Sequence, residues 1–533
     1  MRFFLLTRRE KFGVPWSRVT NRKCLLILVI LYFSVALTTF LVWSFRGVNQ
    51  ITGDEPPFLV MTSGLVRHGT FEQTLAYADQ AKTHEIYEAL CPETRMVGLG
   101  QGGQHTVRGP HGLYSKHGIG LPLLLAIPFA LYGVLGAKIF MIILGSGIVI
   151  TSWKISGLFS ETRITRFLSV LAAAIGMPLL PGSNQIYTDI PAGLIALVGI
   201  YWFMTLERQN RLLGYFLVAT TLALLPWLHV RYTATAAILF IAIIWKILRT
   251  KSRSVRTRAA TLMIAFLASS ISGVIAYNLY AFGNAPGPFN AELEISKTSL
   301  MVLFGLFADQ NQGFLLQNPV MLVGLLFAGS LFAADRKLFA LWSLVFLSLI
   351  VPNSLESAWY GGGSFSGRFQ WAAAMVFLIP TIFGLNMLSL KTPKAFHTTV
   401  AIGMLVQACY FWQYARGYVF LYNRSASTLA EDYTIFHRHM HIYQWLPMLY
   451  NEHVAFKYLP NITWLIALST LAVAGFVLGN RPSFPSVKLL CGLGAFCFLL
   501  IIPSGSMVKA YGSRAPARNE STRLAVSQRA QAG

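Results

Sequence analysis

The chain has 533 residues, of which 55% are hydrophobic and only 12% are charged, and its formal net charge is +23. A soluble globular protein carries about 25% charged residues, so the composition excludes an ordinary soluble fold and indicates an integral membrane protein. The positive charge does not predict a nucleic-acid partner, because the basic residues occupy short stretches between apolar runs, where they face lipid headgroups.

The amino-terminal segment 1–23 is basic, which predicts a cytoplasmic tail. The apolar run Cys24–Trp43 follows it and is long enough to cross a bilayer. No small-residue cleavage site comes after the run, so we interpret it as an uncleaved first transmembrane helix rather than a signal peptide. Residues 45–136 then form a large extracytoplasmic loop, in which we expect short interfacial helices.

Two apolar segments, Ile119–Leu135 and Ala137–Trp153, follow one another at the end of this loop. If both crossed the membrane, the basic stretch Arg249–Arg258 would lie outside, against the positive-inside rule. The first segment also contains Pro122 and Pro128, which disfavour a straight helix. We therefore predict that it lies at the outer interface or enters the bilayer without crossing it, and that only the second segment spans.

The remaining sequence continues the pattern of apolar runs to residue 504. We predict a membrane catalytic module over residues 24–282, with further transmembrane helices over 283–504 and extracytoplasmic loops at 283–314, 353–370 and 418–460. The polar tail 505–533 is expected to be disordered. The predicted fold is an all-α integral membrane protein with about thirteen transmembrane helices (about 11–14).

This topology places several polar motifs at the outer face. Asp54 and Glu55 follow the first span, and two adjacent carboxylates can supply a general base and a cation ligand, although a solvated turn would have the same sequence. Asp189 stands two residues before Pro191 at the mouth of a span, where a carboxylate is either functional or a helix cap.

Basic and aromatic residues accompany these carboxylates. The forked guanidinium of Arg231, next to His229, suits a phosphate, and the alternative is a side chain anchored at the interface. Trp359 and Tyr360 precede a glycine run that ends at Arg368, and such aromatic rings stack on sugars, unless the run is a flexible connector. Weaker candidates in the outer loops are Lys116 and Asp309.

Taken in chain order, these motifs resemble those of the C-type membrane glycosyltransferases (the GT-C fold), in the branch of the protein O-mannosyltransferases and lipid A aminoarabinose transferases. The resemblance extends over about residues 24 to 370. Its motifs are Gly53-Asp-Glu55, Tyr114-Ser-Lys-His-Gly-Ile-Gly-Leu-Pro122, Tyr187-Thr-Asp-Ile-Pro191, Leu225-Pro-Trp-Leu-His-Val-Arg231, Tyr277-Asn-Leu-Tyr-Ala-Phe-Gly283, Asp309-Gln-Asn-Gln-Gly313 and Trp359-Tyr-Gly-Gly-Gly-Ser-Phe-Ser-Gly-Arg368.

The resemblance implies an enzyme that moves a sugar from a polyprenyl-phosphate donor to a glycan, lipid or protein, on the extracytoplasmic face of a bacterial inner membrane. It implies that Asp54 is the general base or orients the acceptor, with Glu55 and Asp189 positioning the acceptor or a divalent cation (Mg, Mn or Zn). The leaving phosphate would be held by Lys116, His229, Arg231 and Arg368, and the sugar or acceptor by Trp359, Tyr360 and Asp309. Ser115 stands where the aminoarabinose transferases carry a glutamate, so the metal ligands stay open.

Two other functions are compatible with the sequence. A lipid or glycan transporter without enzymatic activity would place polar residues midway along several spans, where Asn278 is one of few. A polymer ligase of the lipopolysaccharide type would use outer-face Arg and His but would not need the Asp54–Glu55 pair. The one-sided placement of charge favours the glycosyltransferase.

Overall fold

The chain folds into an assembly of helices, as predicted for an all-α membrane protein. The structure is a computed structural model that describes residues 20–45, 51, 53–87, 92–208, 211–288, 297–355, 361, 364–415, 442–449, 458–479 and 487–512. Its one described sheet is a hairpin of two short antiparallel strands, Thr106–Gly109 (β1) and Gly112–Ser115 (β2), which the sequence did not predict.

The helices are α1 (Asn21–Phe45), α2 (Glu55–His68), α3 (Thr74–Thr83), α4 (Pro92–Gly98), α5 (Gly120–Phe159), α6 (Arg163–Ala174), α7 (Leu179–Gly182), α8 (Asp189–Thr205), α9 (Leu212–Ala223), α10 (Leu225–Leu228), α11 (Thr233–Thr250), α12 (Arg253–Phe282), α13 (Lys297–Ala308), α14 (Phe314–Gln317), α15 (Leu322–Leu326), α16 (Ala328–Ala334), α17 (Arg336–Ser354), α18 (Trp371–Lys391), α19 (Pro393–Ala415), α20 (Tyr458–Gly479) and α21 (Val487–Gly512).

Within the described ranges, eight helices are long and apolar enough to cross a membrane. Their bounds are Asn21–Phe45, Gly120–Phe159, Asp189–Arg208, Val230–Arg249, Arg253–Phe282, Arg336–Ser354, Arg368–Lys391 and Tyr458–Gly479. Shorter apolar helices occur at Leu212–Leu228, Ser299–Ala308 and Gly494–Val508. The chain is therefore a multi-pass membrane protein, while the count of about thirteen spans stays a prediction.

Helix α5 is divided at the place where the sequence separated an interfacial segment from a span. Tyr132 and Gly133 leave the helical conformation, and Gly133 has a φ of 57°, which favours glycine. A Cβ atom on Gly136 would lie 2.0 Å from the carbonyl oxygen of Pro128, eight positions earlier, so the chain reverses sharply here. A straight helix would separate these positions by roughly 12 Å.

Charged residues gather at two opposite ends of the long helices. Asp189 begins α8, and Glu207 follows its end, roughly 27 Å away along the helix axis. The Glu207 end also holds Lys246, whose Nζ lies 3.7 Å from the Glu207 carboxylate, and Lys251, which donates to the Glu207 carbonyl. The Asp189 end holds most of the predicted site residues, so the helices sort charge into two separate polar regions.

The segment between α1 and α5 forms a compact cap of short helices and the β hairpin. The hairpin packs against the end of α12, where Tyr114 meets Tyr277 edge to face and His111 stacks on Tyr280 at 4.4 Å. A Cβ atom on Gly109 would overlap the carbonyl of Ala281, so glycine permits this contact. The tyrosine motif of α12 thus supports the loop that carries Lys116.

The carboxyl-terminal region differs in part from the prediction. Residues 505–512, which were assigned to a disordered tail, continue helix α21 to Gly512. The apolar sequence before them extends the helix, and Ser506 donates from its hydroxyl to the Ile502 carbonyl one turn earlier. Residues 513–533 and most of the predicted loop 418–460 lie outside the described residues.

Candidate active site

Asp54 lies at the entrance to helix α2, just before the helix begins at Glu55. Pro56 and Pro57 occupy its first turn, where a proline loses no intrahelical hydrogen bond, so the motif starts a helix and not a simple loop. The Asp54 side chain is 23% exposed, and its Oδ2 accepts from Nη1 of Arg368 at 2.5 Å. One carboxylate oxygen is thus held by a cation, and the group stays partly open.

The electrostatic environment keeps the Asp54 carboxyl ionised. Burial acts to raise its pKa, but the charge and hydrogen bond of the Arg368 guanidinium outweigh burial and hold the pKa well below its usual range. An ionised, partly exposed carboxylate can accept a proton from a bound hydroxyl.

Arg368 is fixed by the turn before it. Gly367 has a φ of 79°, and its N–H donates to Oε1 of Gln312 at 2.5 Å. Its neighbours include Gln317, whose Nε2 donates to the Ser366 carbonyl at 2.9 Å, so an added Cβ would collide with buried amides. The Arg368 guanidinium lies 4.0 Å over the Tyr187 ring.

Asp189 occupies the centre of the cluster and is 1% exposed. Its Oδ1 accepts from Nη2 of Arg231 at 2.6 Å and from the hydroxyl of Tyr232 at 3.0 Å, while its Oδ2 lies 3.5 Å from Nε of Arg368. Arg231 also donates to Oδ1 of Asn353 at 3.2 Å. Two carboxylates and two guanidiniums therefore alternate in a row of contacts, Asp54–Arg368–Asp189–Arg231, which we call the alternating cluster. Its two negative and two positive charges cancel.

Glu55 is placed differently from its neighbour. It is fully buried, and its Oε1 accepts from Nζ of Lys138 at 2.5 Å and from the Ile186 backbone N–H at 2.8 Å. Nζ of Lys138 also donates to the Asn184 carbonyl at 2.9 Å. These contacts join α2 and α5 to the segment before α8. Glu55 therefore stabilises the packing around the site, and its carboxylate does not face a substrate or a metal ion.

Lys138→Met should lower the free energy of unfolding by about 3–5 kcal/mol, because it leaves the Glu55 carboxylate buried without its cation. The double variant Glu55→Gln/Lys138→Met should recover part of that loss, since no charge then stays buried. Thermal unfolding of detergent-purified protein measures both. Equal melting temperatures for wild type and Lys138→Met would contradict this role.

Asp309 is also occupied by structural contacts. Its Oδ1 accepts from the backbone N–H groups of Asn311 and Gln312, and its Oδ2 accepts from that of Leu449 at 2.8 Å. The carboxylate thus ties the loop after α13 to the segment at Leu449. Trp359 and Tyr360, the predicted sugar-stacking residues, lie outside the described residues.

Three histidines surround the cluster. His229 bonds through Nδ1 to the Arg231 N–H at 3.2 Å, and burial together with the Arg231 charge lowers its pKa well below the usual range. His117 is similarly desolvated, and its pKa falls to about 4. His105, which sequence reasoning missed, lies 3.2 Å from His117 between ring nitrogens. The sequence around His105 is a loop rich in glycine and histidine without apolar periodicity, so no pattern singles this residue out.

Lys116 opens onto a cleft between the cap and α12. Trp227, Tyr277 and Phe282 supply aromatic walls, with Val230 and Pro286 beside them. Its ammonium group has no ion-pair partner within the described part of the chain. Because α12 presents exposed apolar side chains, the cleft joins a free cation to a lipid-facing wall.

The cleft and the cluster are held together by two backbone contacts at glycines. A Cβ atom on Gly118 would lie 2.5 Å from the carbonyl oxygen of Leu228, and one on Gly120 would lie 2.6 Å from the carbonyl carbon of Trp227. Only glycine permits this approach, which packs the segment that follows Lys116 against the segment that precedes His229. The Gly-Ile-Gly motif therefore has a packing role.

The comparisons with known proteins give structural similarity only. No protein-family profile and no curated protein matches the chain. The crystal structure of ArnT from Cupriavidus metallidurans in the apo state is similar over 91% of this chain and 76% of that chain, with 12% identity and a TM-score of 0.43. The structure of the same protein bound to undecaprenyl phosphate is similar over 91% of this chain and 77% of that chain, with 11% identity and a TM-score of 0.41. ArnT is an aminoarabinose transferase with the GT-C fold, the group that the sequence motifs resemble.

Proposed function

We propose that this protein is a glycosyltransferase that moves a sugar from a polyprenyl-phosphate donor to an acceptor hydroxyl at the extracytoplasmic face of a bacterial inner membrane. The observation that carries the proposal is the contact between two dissimilar features. A partly open, ionised Asp54 adjoins a cluster of cations, and His117, which interacts with the Asp54 charge, also lines the aromatic, lipid-facing cleft onto which Lys116 opens. A phosphate attached to a long isoprenoid chain matches that combination of charge and apolar wall.

In the proposed reaction the acceptor hydroxyl attacks the anomeric carbon of the donor. Asp54 accepts the hydroxyl proton, the new glycosidic bond forms, and the bond between the anomeric carbon and the phosphate oxygen breaks. Polyprenyl phosphate leaves with the bonding electrons, and its charge is stabilised by Lys116 and the neighbouring guanidiniums. The guanidiniums of Arg231 and Arg368 already pair with the carboxylates of Asp189 and Asp54. They therefore stabilise the phosphate through their charge, without a direct hydrogen bond to it in this arrangement.

The acceptor class is a glycan, a lipid or a protein, and the membrane lipids and donor are the partners. The pairing of Glu55 with Lys138, and of Asp189 with two guanidiniums, gives both acids protein cations as partners, so neither is proposed as a metal ligand.

Binding of undecaprenyl phosphate, without its sugar, tests the recognition of the lipid phosphate. We expect Lys116→Met to weaken binding about 10- to 100-fold, the equivalent of one lost charge-assisted hydrogen bond. The protein is held in nanodiscs, and the dissociation constant is measured by native mass spectrometry, with undecaprenol as the uncharged ligand.

Lys82 provides the matched control, since it is an exposed lysine on α3 in the same cap. Lys82→Met should bind as the wild type does. Equal affinity of wild type and Lys116→Met, or equal affinity for undecaprenol and its phosphate, would argue against this site.

A further inference from the structure

Two cations at the Glu207 end of the helices share one tryptophan ring. The guanidinium carbon of Arg249 lies 4.7 Å from the centre of the Trp245 ring, and Nζ of Lys337 lies 5.2 Å from the same centre. The two positive charges are therefore at most about 10 Å apart, about one Debye length at moderate ionic strength, so they repel each other. Both side chains are exposed, and neither has an ion-pair partner within the part of the chain that the structure describes.

The carboxylates near this pair have other partners. The Glu207 carboxylate lies 3.7 Å from Nζ of the buried Lys246. Asp335 caps helix α17, because its Oδ1 accepts from the Lys337 backbone N–H at 3.0 Å. The positive charge of Arg249 and the Lys337 ammonium is thus left for an external anion to neutralise.

The helices that carry these cations are antiparallel neighbours. The end of α11 meets the start of α17 where Lys337 lies over Trp245, and Arg231, just before α11, donates to Asn353 near the end of α17. Both helices also present apolar side chains at the protein surface. Four of these side chains are more than 45% exposed: Ile241, Leu248, Leu344 and Leu347. A paired positive charge therefore adjoins an apolar surface that lies within the membrane.

We propose that Arg249, Lys337 and Trp245 bind the headgroup of one anionic phospholipid, whose acyl chains lie along α11 and α17. The phosphate oxygens accept charge-assisted hydrogen bonds from the guanidinium and the ammonium group. The half-buried indole suits the boundary between headgroups and acyl chains. A free phosphate would not use the apolar surface, and a zwitterionic phospholipid would bring its own ammonium group beside two cations. A lipid with net negative charge therefore fits best.

A phospholipid bound in this way would connect α11 to α17. Binding to the folded state alone stabilises that state, so the lipid should stabilise the contact between the two helices. The same pair of helices carries Arg231 and Asn353 at its other end. The site lies at the end opposite to the alternating cluster, and it does not depend on the proposed sugar transfer.

Binding of phosphatidylglycerol by the delipidated full-length protein tests this proposal. Native mass spectrometry from detergent gives the dissociation constant, with phosphatidylethanolamine of the same acyl chains as the zwitterionic comparison. We expect one tightly bound phosphatidylglycerol per chain and about 10-fold weaker binding of phosphatidylethanolamine. Arg249→Gln/Lys337→Gln should weaken phosphatidylglycerol binding about 10- to 30-fold, because both cations that face the headgroup are removed.

Arg253→Gln/Arg258→Gln is the matched control. It removes the same charge from two exposed residues of the neighbouring helix α12 at the same end, and it should bind phosphatidylglycerol as the wild type does. Thermal unfolding of the wild type requires no variant to fold, and phosphatidylglycerol should raise its melting temperature more than phosphatidylethanolamine does.

Three results would overturn the site: equal wild-type affinity for the two lipids, an equal loss in both double variants, or displacement of phosphatidylglycerol by excess inorganic phosphate. Undecaprenyl phosphate should bind to Arg249→Gln/Lys337→Gln as it binds to the wild type, because the Lys116 cleft is a separate place on the protein. Failure of the phospholipid site and failure of the proposed function therefore give different results.

Discussion

Asp54→Asn should lower the rate of sugar transfer by about 10³-fold, within the range of general-base catalysis. Asparagine has nearly the same shape and can still accept a hydrogen bond from Arg368, but it cannot take the proton of the acceptor hydroxyl. Folding and membrane insertion should be retained, because the Glu55–Lys138 pair that fixes the start of α2 is untouched. The turnover number with a saturating donor, measured beside the melting temperature, checks both statements.

Asp79→Asn is the control for this variant. Asp79 is an aspartate of the same cap that pairs with His68 at 2.7 Å, with both side chains partly exposed. Its loss should leave the rate within about twofold of the wild type, since an exposed pair contributes at most about 1 kcal/mol. A fall in rate of similar size in both variants, or an unchanged rate in Asp54→Asn, would remove Asp54 from the reaction.

Arg368→Gln should both destabilise the protein, by about 3–5 kcal/mol, and lower transfer by at least about 10²-fold. The buried guanidinium lies against the carboxylates of both Asp54 and Asp189, so its removal leaves two neighbouring negative charges without their shared cation. Arg368→Lys keeps the charge but not the planar, forked guanidinium. Its stability and transfer rate should therefore lie between those of the wild type and Arg368→Gln. Chemical or thermal unfolding gives the stability, and single-turnover kinetics give the rate.

The matched control is Arg67→Gln, which breaks the pair between Arg67 and Glu85 in the same cap. Both of those side chains are more than a third exposed, so the loss should be at most about 1 kcal/mol. If Arg368→Gln has the same stability and the same transfer rate as Arg67→Gln, the alternating cluster does not organise the site.

The sequence predicted the membrane class and much of the polar cluster. Charge sorting between apolar runs placed Asp54, Asp189, Arg231 and Arg368 on one side, and the structure brings them into contact although Asp54 and Arg368 are 314 positions apart. The prolines and the positive-inside rule also separated Ile119–Leu135 from the span Ala137–Trp153, and α5 breaks close to that boundary, at Tyr132 and Gly133.

Other features depend on partners that are distant in sequence, which local patterns do not specify. Glu55 and Asp54 are adjacent, yet only the packing of α5 reveals that Lys138 neutralises Glu55. His105 stands in a loop without a period, so nothing marked it as a neighbour of His117. Gln312 and Gln317, the buried amides around Gly367, have the sequence of ordinary polar loop residues. Only the folded structure shows that they surround this turn.

Release of polyprenyl phosphate from a panel of polyprenyl-phosphate sugars tests the central claim most directly. Purified wild type and Asp54→Asn are incubated with each donor and a crude glycan, lipid and protein acceptor mixture, and the released lipid phosphate is measured by mass spectrometry. The proposed function predicts release by the wild type from at least one donor, dependent on the acceptor, and release about 10³-fold slower by Asp54→Asn. No release from any donor, or equal release by both proteins, would contradict it.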